Sequence, residues 1–559
     1  MKAISIKIHN FRSILDAEFH TSSYGLLIGA NNAGKSNVID AIRAFYEKDY
    51  KYNHDKDFPK NKETTDEESW VEIEFKPSEH EIETLKEEYR SKDETFRVRK
   101  YFRSKEKGTD GKLKSGIYAY VGGVLSDSRF YGQQNVQKGK FGEIIYIPAV
   151  SKIDEYTKLT GPSTLRDLVN NVLKKIMESS AAYIELKDSF ERFEGLIKTE
   201  ETEEGHSLDL IEKAITDEIE DWGTSFQLYV NPIGPSDMVK NLVGHRIHDH
   251  NLDHTQHPSA YGQGFQRNLI FTLIKVAAKF SADSTSKAKK KDFTPDMTWI
   301  LFEEPEAFLH PSQIDIINRS LKELSHRDDT QITITTHNPQ FVSKNIADIG
   351  SIARLYRDDT KSIVSQITAD TITHTLQLNQ DDMKAWEDAG IPIHDDDFSI
   401  DMESIKYALW IDSRRAESFF ANKVLLVEGP TETALFNYMI DNGLIPSPQE
   451  GIYVIDTIGK FNTHRFMNLF GSLGIPHYIL IDGDKGKYEV VDETIRNSSN
   501  PSTMAIDTFE DDLEEFLGIP KAGRANRKPQ HVLYHIQNGT VKEEKLKELA
   551  DKIINLMGL

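Results

Sequence analysis

The sequence predicts an α/β protein with two parallel-sheet units and a helical segment set inside the first. Near the start, and again after residue 422, short apolar runs alternate with helix-period segments, a pattern that favours parallel strands flanked by helices. Between residues 163 and 222 the strand pattern gives way to helical spacing alone. A chain of 559 residues is also too long for a single core.

Taken in order, Ile4, Ile6 and Ile8 alternate as a strand; YGLLIG follows as a short buried strand, then a glycine-bearing loop and an apolar helix to residue 46. WVEIEF (70–75) alternates as a strand, and RVRKYFRSKEKGTDGKLKSG (97–116) reads as a basic hairpin. Three helical stripes come next: Leu165, Leu168, Val169, Val172, Leu173 and Ile176; Leu186, Phe190, Phe193 and Ile197; Leu208, Ile211, Ile215 and Ile219. Packing against one another and packing against a second copy account for them equally well. Strand and helix punctuation returns from 259 to 337, and residues 376–404 are acidic and turn-rich. The expected division is therefore 1–160 and 231–375 as the two halves of one domain, 161–230 as a helical insertion, 376–420 as a linker and 421–559 as a second α/β domain.

The totals exclude several classes. With 68 basic against 90 acidic residues the net charge is −22, which disfavours indiscriminate nucleic-acid binding but leaves room for a local basic groove. The absence of cysteine excludes disulfides and thiolate metal sites and fits a cytoplasmic setting. No apolar run approaches the roughly 20 residues of a membrane span, and no signal peptide is expected.

GANNAGKS (29–36) fits the phosphate-loop pattern, after a strand and before a helix. Gly29 and Gly34 let backbone N–H groups turn inward, with Asn32 between them; Lys35 would meet the β- and γ-phosphates and Ser36 would hold Mg²⁺. WILFEEPEAFLHP (299–311) ends an apolar strand in Glu303, placed to organise Mg²⁺, and Glu304, placed to polarise water. QITITTHNP (331–339) ends another strand at His337, a candidate contact for the γ-phosphate.

The second domain repeats the theme with carboxylates. KVLLV ends in Glu428, Gly429 and Pro430 turn the chain, and Glu432 falls in the first turn of the next helix. YILIDGDK (478–485) ends in Asp482 and Asp484, an i, i+2 pair on one face. Four carboxylates at one sheet edge repel unless cations neutralise them, and hard oxygen ligands select Mg²⁺ or Mn²⁺. The histidines of GHRIHDHNLDHTQHP (244–258) lack a tidy zinc spacing.

Residues 8–46 resemble the ABC-type ATPase heads of repair and chromosome-maintenance proteins. SAYGQGFQR (259–267), with Gly262 and Gly264, takes the signature position while departing from the common SGGQ form. In such heads ATP is sandwiched between two subunits, which implies a dimer. Glu303 replaces the usual Asp. E-G-P-x-E followed by D-x-D resembles a Toprim domain, as does the Gly-Lys turn of IGKFN (458–462). Together with YIPAV (146–150) and IDSRRAESFFANKVLLVEGPTE (411–432), the whole resembles the OLD (overcoming lysogenisation defect) family of ATP-linked nucleases.

That resemblance implies a DNA endonuclease, nicking or cutting both strands, dependent on Mg²⁺ or Mn²⁺ and regulated by ATP with Mg²⁺, in antiphage defence. It implies metal ligation by Glu428, Glu432, Asp482 and Asp484, a further acid in DTFEDDLEEF (507–516) at Glu510, and a transition-state lysine in NRKPQ (526–530) at Lys528. A solvated acidic helix and a basic loop remain equal alternatives for those last two positions. The implied partners are DNA, a second copy in a homodimer or tetramer, and a helicase or a reverse-transcriptase product encoded nearby, with no membrane. A nucleotide-driven DNA sensor or clamp that binds without cutting is the alternative function. A topoisomerase would need a separate DNA-gate domain, for which the residues after Glu432 leave no room.

Overall fold

The computed structural model describes the chain apart from residues 48, 61–63, 65, 131–140, 151, 160–162, 164, 167–168, 171–172, 174–179, 204, 229–239, 242, 251–252, 283–292, 294, 296, 343–348, 394–398, 400–405, 407–409 and 447–451. It separates into two compact units, residues 1–149 with 289–559, and residues 150–288.

The larger unit begins with an antiparallel sheet of β1 (Lys2–Phe11), β2 (Ile14–His20), β4 (Ser69–Lys76), β5 (Phe96–Arg103), β6 (Gly116–Val121) and β7 (Val124–Arg129), in the order β2-β1-β4-β5-β6-β7. Beside it stands a mixed sheet of β3 (Tyr24–Ile28), β8 (Glu143–Ile147), β11 (Thr298–Glu303), β12 (Thr330–Thr335), β13 (Ile352–Asp358) and β14 (Lys361–Gln366), ordered β14-β13-β3-β12-β11-β8. All its pairings are parallel except β13 with β14. Every residue of β12 is buried, as a strand covered on both faces requires. The helix Lys35–Tyr46 buries Val38, Ile39, Ile42 and Phe45 in the core shared with the antiparallel sheet. Stacked Phe75, Phe96 and Phe141 fill its far end.

The basic segment 97–116 does form a hairpin, β5 with β6. The four cations of β5 are already matched: Arg97 and Arg99 pair with Glu72, Lys100 with Glu47 and Arg103 with Glu67.

A parallel sheet of β15 (Val424–Val427), β16 (Tyr453–Asp456), β17 (His477–Ile481) and β18 (Thr503–Thr508), ordered β16-β15-β17-β18, forms the second α/β fold. Residues 376–388, expected to belong to a turn-rich acidic linker, are instead the second half of a helix, Ala369–Asp388. Leu376, Asn379, Met383 and Trp386 are buried along one side of it, and Trp386 donates its ring N–H to Thr494 at 2.9 Å. Residues 394–398 and 400–404 of that expected linker lie outside the described residues.

Arg354 of β13 joins the mixed sheet to the four-stranded sheet. Its guanidinium is 2% exposed and donates to the carbonyls of Phe419 (3.1 Å), Ala421 (2.8 Å), Leu473 (3.3 Å) and Gly474 (2.7 Å). The first two precede β15; the second two precede β17.

The smaller unit contains helices Ala181–Thr199, Leu208–Ile219 and Gln263–Ala282, and a hairpin of β9 (Ile247–Asp249) with β10 (His254–Gln256) within the histidine-rich segment. The second and third helical stripes expected from sequence are present as helices; much of the first lies outside the described residues. Among the described residues no helix is long and apolar enough to cross a membrane.

Candidate functional sites

The first site is built where β3 ends. Gly29 (φ 142°) lies so close to β13 that a Cβ would sit 2.0 Å from the Leu355 carbonyl oxygen, so only glycine lets the loop turn there. Asn32 and Gly34 also have positive φ, and Gly34 caps the helix that starts at Lys35. Lys35 donates to the carbonyls of Gly29 and Ala30, each at 2.9 Å. Burial pushes its ammonium down to about 8, against the pull of Glu304, Glu306 and Glu303. A 200 Å³ cavity brings Asn32, Gly34, Lys35 and Ser36 together with Glu303, Glu304 and His337. Sequence reasoning selected all of these. The signature residues Gly262 and Gly264 lie just before and within the helix Gln263–Ala282 of the other unit.

The structure adds two residues here. Tyr146, on β8 beside β11, donates its hydroxyl to Glu303 Oε2 at 2.8 Å, and Arg43 stacks over its ring. Glu306 accepts from Thr336 Oγ1 (2.7 Å) and from the backbone N–H of His337 (2.8 Å). Burial raises the Glu306 carboxyl. Glu304 itself has a positive φ of 44°, a costly conformation for a non-glycine, which sets its Oε1 3.4 Å from His337 Nε2. Burial, followed by the neighbouring Lys35, depresses the His337 imidazole.

The second site lies where β15 and β17 end. Glu428 Oε1 accepts the backbone N–H of Asp482 at 2.8 Å, which clasps the two strand tips together. Glu432, in the first turn of the helix Pro430–Asp441, accepts from Gly429 N at 3.0 Å. Gly483 has no room for a side chain, since a Cβ would meet the Phe509 carbonyl oxygen at 2.2 Å. Burial pushes Glu428 and Glu432 up to about 7 and Asp482 up to about 8; repulsion from Asp484 and Glu432 adds to it at Glu428, from Asp482 at Glu432, and from Glu428 at Asp482. Among the described residues no three metal-ligating groups enclose a cation as they stand. Asp484 Oδ2 accepts instead from Lys460 at 3.0 Å.

Residues 1–115 and 66–342 match the family model for the AAA ATPase domain, together more than half of the chain. The chain belongs to that family. Residues 419–484 match the overcoming lysogenization defect protein-like TOPRIM domain, a span that includes all four strand-tip acids. The Old nuclease of Escherichia phage P2 is 24% identical over 503 residues, covering 87% of this chain and 77% of that protein. Endonuclease GajA of Bacillus cereus (strain VD045) is 23% identical over 563 residues, covering 96% of this chain and 86% of that one. Among solved structures, an Smc head bound to the C-winged helix domain of ScpA is 16% identical, with a TM-score of 0.37, covering 67% of this chain and all of that one.

On the C-terminal side of the OLD-like Toprim segment, Lys528 begins the helix Lys528–Gln537, and its Nζ lies 3.2 Å from Glu514 Oε2 and within electrostatic reach of Asp482 and Asp512. Glu510 stands apart: its side chain is exposed, and its backbone carbonyl accepts from Lys485 N. The acids facing Asp482 and Lys528 are Asp512, which adds to the repulsion on Asp482, and Glu514, 1% exposed with Oε1 lacking a partner. The D-x-E spacing of 512–514 was the available signal, because Asp512 caps the short helix Leu513–Leu517 and Glu514 falls within it. Lys460, of the Gly-Lys turn, is buried and donates to the Asp482 carbonyl (2.6 Å), with Asp492 as a second anion at 2.7 Å. It orients the D-x-D segment from behind.

Proposed function

We propose that the chain is a divalent-metal-dependent DNA endonuclease whose Toprim site is coupled to ATP binding and hydrolysis at the head. The observation that carries this reading is the meeting of Glu428, Glu432, Asp482 and Asp484 at one sheet edge with Lys528 beside them. Buried carboxyl groups raised to about 7 and 8 are an anionic set short of positive charge, which fits a divalent cation. Glu428, Glu432, Asp482 and Asp484, with Asp512, would hold it. When bound, such an ion stabilises charge on the oxygens of a phosphodiester. The chain's own part is to fix these carboxylates: Glu428 through Asp482 N, and Asp484 through Lys460. Lys528 places an ammonium beside Asp482, where a phosphate in transit gains negative charge.

At the head, Lys35 and Ser36 would take the nucleotide phosphates and Mg²⁺, Glu303 would hold the ion's water shell, and Glu304 with His337 would orient the attacking water. The names of the relatives, Old nuclease and endonuclease GajA, support nucleic-acid cleavage; a place in antiphage defence rests on the family resemblance. They lend nothing to a helicase or reverse-transcriptase partner.

The test is supercoiled plasmid incubated with Mg²⁺ or Mn²⁺, with and without ATP. Wild type is expected to nick or linearise it, and Asp482→Ala with Glu428→Ala to lose that activity while still hydrolysing ATP. Cutting that survives the double substitution removes the assigned site. ATP hydrolysis without any cutting by wild type favours the clamp instead.

A further inference from the structure

Along the helix that begins at Lys528 the surface opens into a cavity of 670 Å³ lined by Arg524, Arg527, Gln530, His531 and Tyr534. Arg527, Gln530, His531 and Tyr534 fall at i, i+3, i+4 and i+7, so they share one face of the helix whose first residue is Lys528. The Tyr534 ring is 61% exposed. His531 is held in place, its Nε2–H donating to the Pro520 carbonyl at 2.7 Å and its ring edge-on to His535 at 4.5 Å. Neither Arg524 nor Arg527 has an ion-pair or hydrogen-bond partner for its guanidinium among the described residues. The comparably basic strand β5 has its arginines matched to Glu67 and Glu72, and nearby Lys521 is bound to Asp511 and Asp512.

Unpaired guanidiniums attract an anion, an exposed tyrosine ring offers a stacking surface, and an amide offers both donors and acceptors. Bases and phosphates of a single strand present those complements together, whereas a paired duplex keeps its base faces covered. Six residues of helix separate Lys528 from Tyr534, about 9 Å along the axis, or two to three stacked steps of about 3.4 Å on one strand. We propose that this cavity is a subsite for an unpaired DNA nucleotide, with a base stacked on Tyr534 and its flanking phosphates on Arg524 and Arg527, two or three nucleotides from the bond to be cut. The substrate class is then DNA with unpaired bases next to the cleavage point: a frayed end, a fork or a single strand. This rests on the nuclease reading for its position but not for its binding chemistry.

The experiment is fluorescence anisotropy of the full chain in EDTA, so that cutting cannot intervene, with labelled single-stranded DNA, forked DNA, blunt duplex DNA and single-stranded RNA. Tyr534→Ala is expected to weaken single-stranded and forked DNA binding about tenfold, Tyr534→Phe to restore it, and blunt duplex binding to change little. Arg524→Gln with Arg527→Gln is expected to reduce the salt dependence of single-strand binding by about 0.7 for each guanidinium lost. Unchanged binding by Tyr534→Ala, a loss in Tyr534→Phe equal to that in Tyr534→Ala, or dependence on Tyr534 only for RNA would each overturn the proposal. Because Tyr534 lies on the surface, an unchanged melting temperature separates these results from misfolding. Plasmid cutting in Mn²⁺, measured in parallel, separates the two readings. Cutting with Tyr534-independent binding defeats the subsite alone; Tyr534-dependent binding by a wild type that never cuts defeats the nuclease reading alone.

Discussion

Asp482 concentrates the electrostatics of the second site. Its carboxyl rises from an ordinary 3.8 to about 8, with Glu428 and Glu432 at about 7, and burial is the largest cause in each case. Over that range the folded protein retains protons that the unfolded chain releases. The cluster's contribution to stability is therefore fully present below the ordinary carboxyl range and is lost as pH rises through about 7 to 8. On the proposed reading, a divalent cation would take over from those protons. In EDTA the melting temperature should fall as pH is raised across this window; Mn²⁺ should restore it more at the alkaline end, and Asp482→Asn should flatten both trends. Differential scanning fluorimetry reads all three. A metal effect that is equal on both sides of the window, or larger on the acid side, would contradict the assignment.

Single elements differ in how much their sequence disclosed. The phosphate loop and the acidic ends of β11, β15 and β17 were legible because each joins a fixed motif to an apolar strand, and local chain geometry then dictates where the side chains point. DTFEDDLEEF was not, since six acids in ten residues offer several registers and only the start of the helix at Leu513 turns Glu514 inward while leaving Glu510 outside. YIPAV marked the family, but the role of Tyr146 was hidden for another reason: its partner Glu303 is 157 residues away. The helix Ala369–Asp388 was misread because its polar side is so acidic, although Leu376, Met383 and Trp386 keep a helical interval. The inserted helices raise the opposite question, since Ile184, Phe193 and Leu196 are 57%, 49% and 66% exposed. Apolar surface left open on this scale marks an interaction face, and a second copy of the chain is the partner we expect there. Phe193→Glu with Leu196→Glu should lower the mass in light scattering from that of a dimer to that of a monomer. A monomeric wild type, or a dimeric double variant, would rule this face out.

At the scale of the whole molecule, Arg354 spans the mixed sheet and the four-stranded sheet of the larger unit with no ion-pair partner among the described residues. Burial draws the guanidinium down to about 10, so its charge is retained at neutral pH, where it is met by carbonyl dipoles and by the Tyr356 ring beneath it. Arg354→Met would leave four acceptors, three of them buried, without this donor, and a single unsatisfied buried group of that kind costs about 1–3 kcal/mol. A melting temperature several degrees lower is expected, with ATP hydrolysis preserved and the effect of ATP on plasmid cutting diminished. An ATP response as large as that of wild type would show that coupling takes another route.

The same rivet governs how the polypeptide can be dissected. A fragment begun at residue 421 would discard the long acidic helix that carries Trp386 and its bond to Thr494, and one begun at 369 would still leave Arg354 behind on the other piece. Either scissor point exposes to water an arrangement that only the joined chain completes. Engineers who want the cutting half by itself should therefore keep β13 attached, or supply the missing strand in trans.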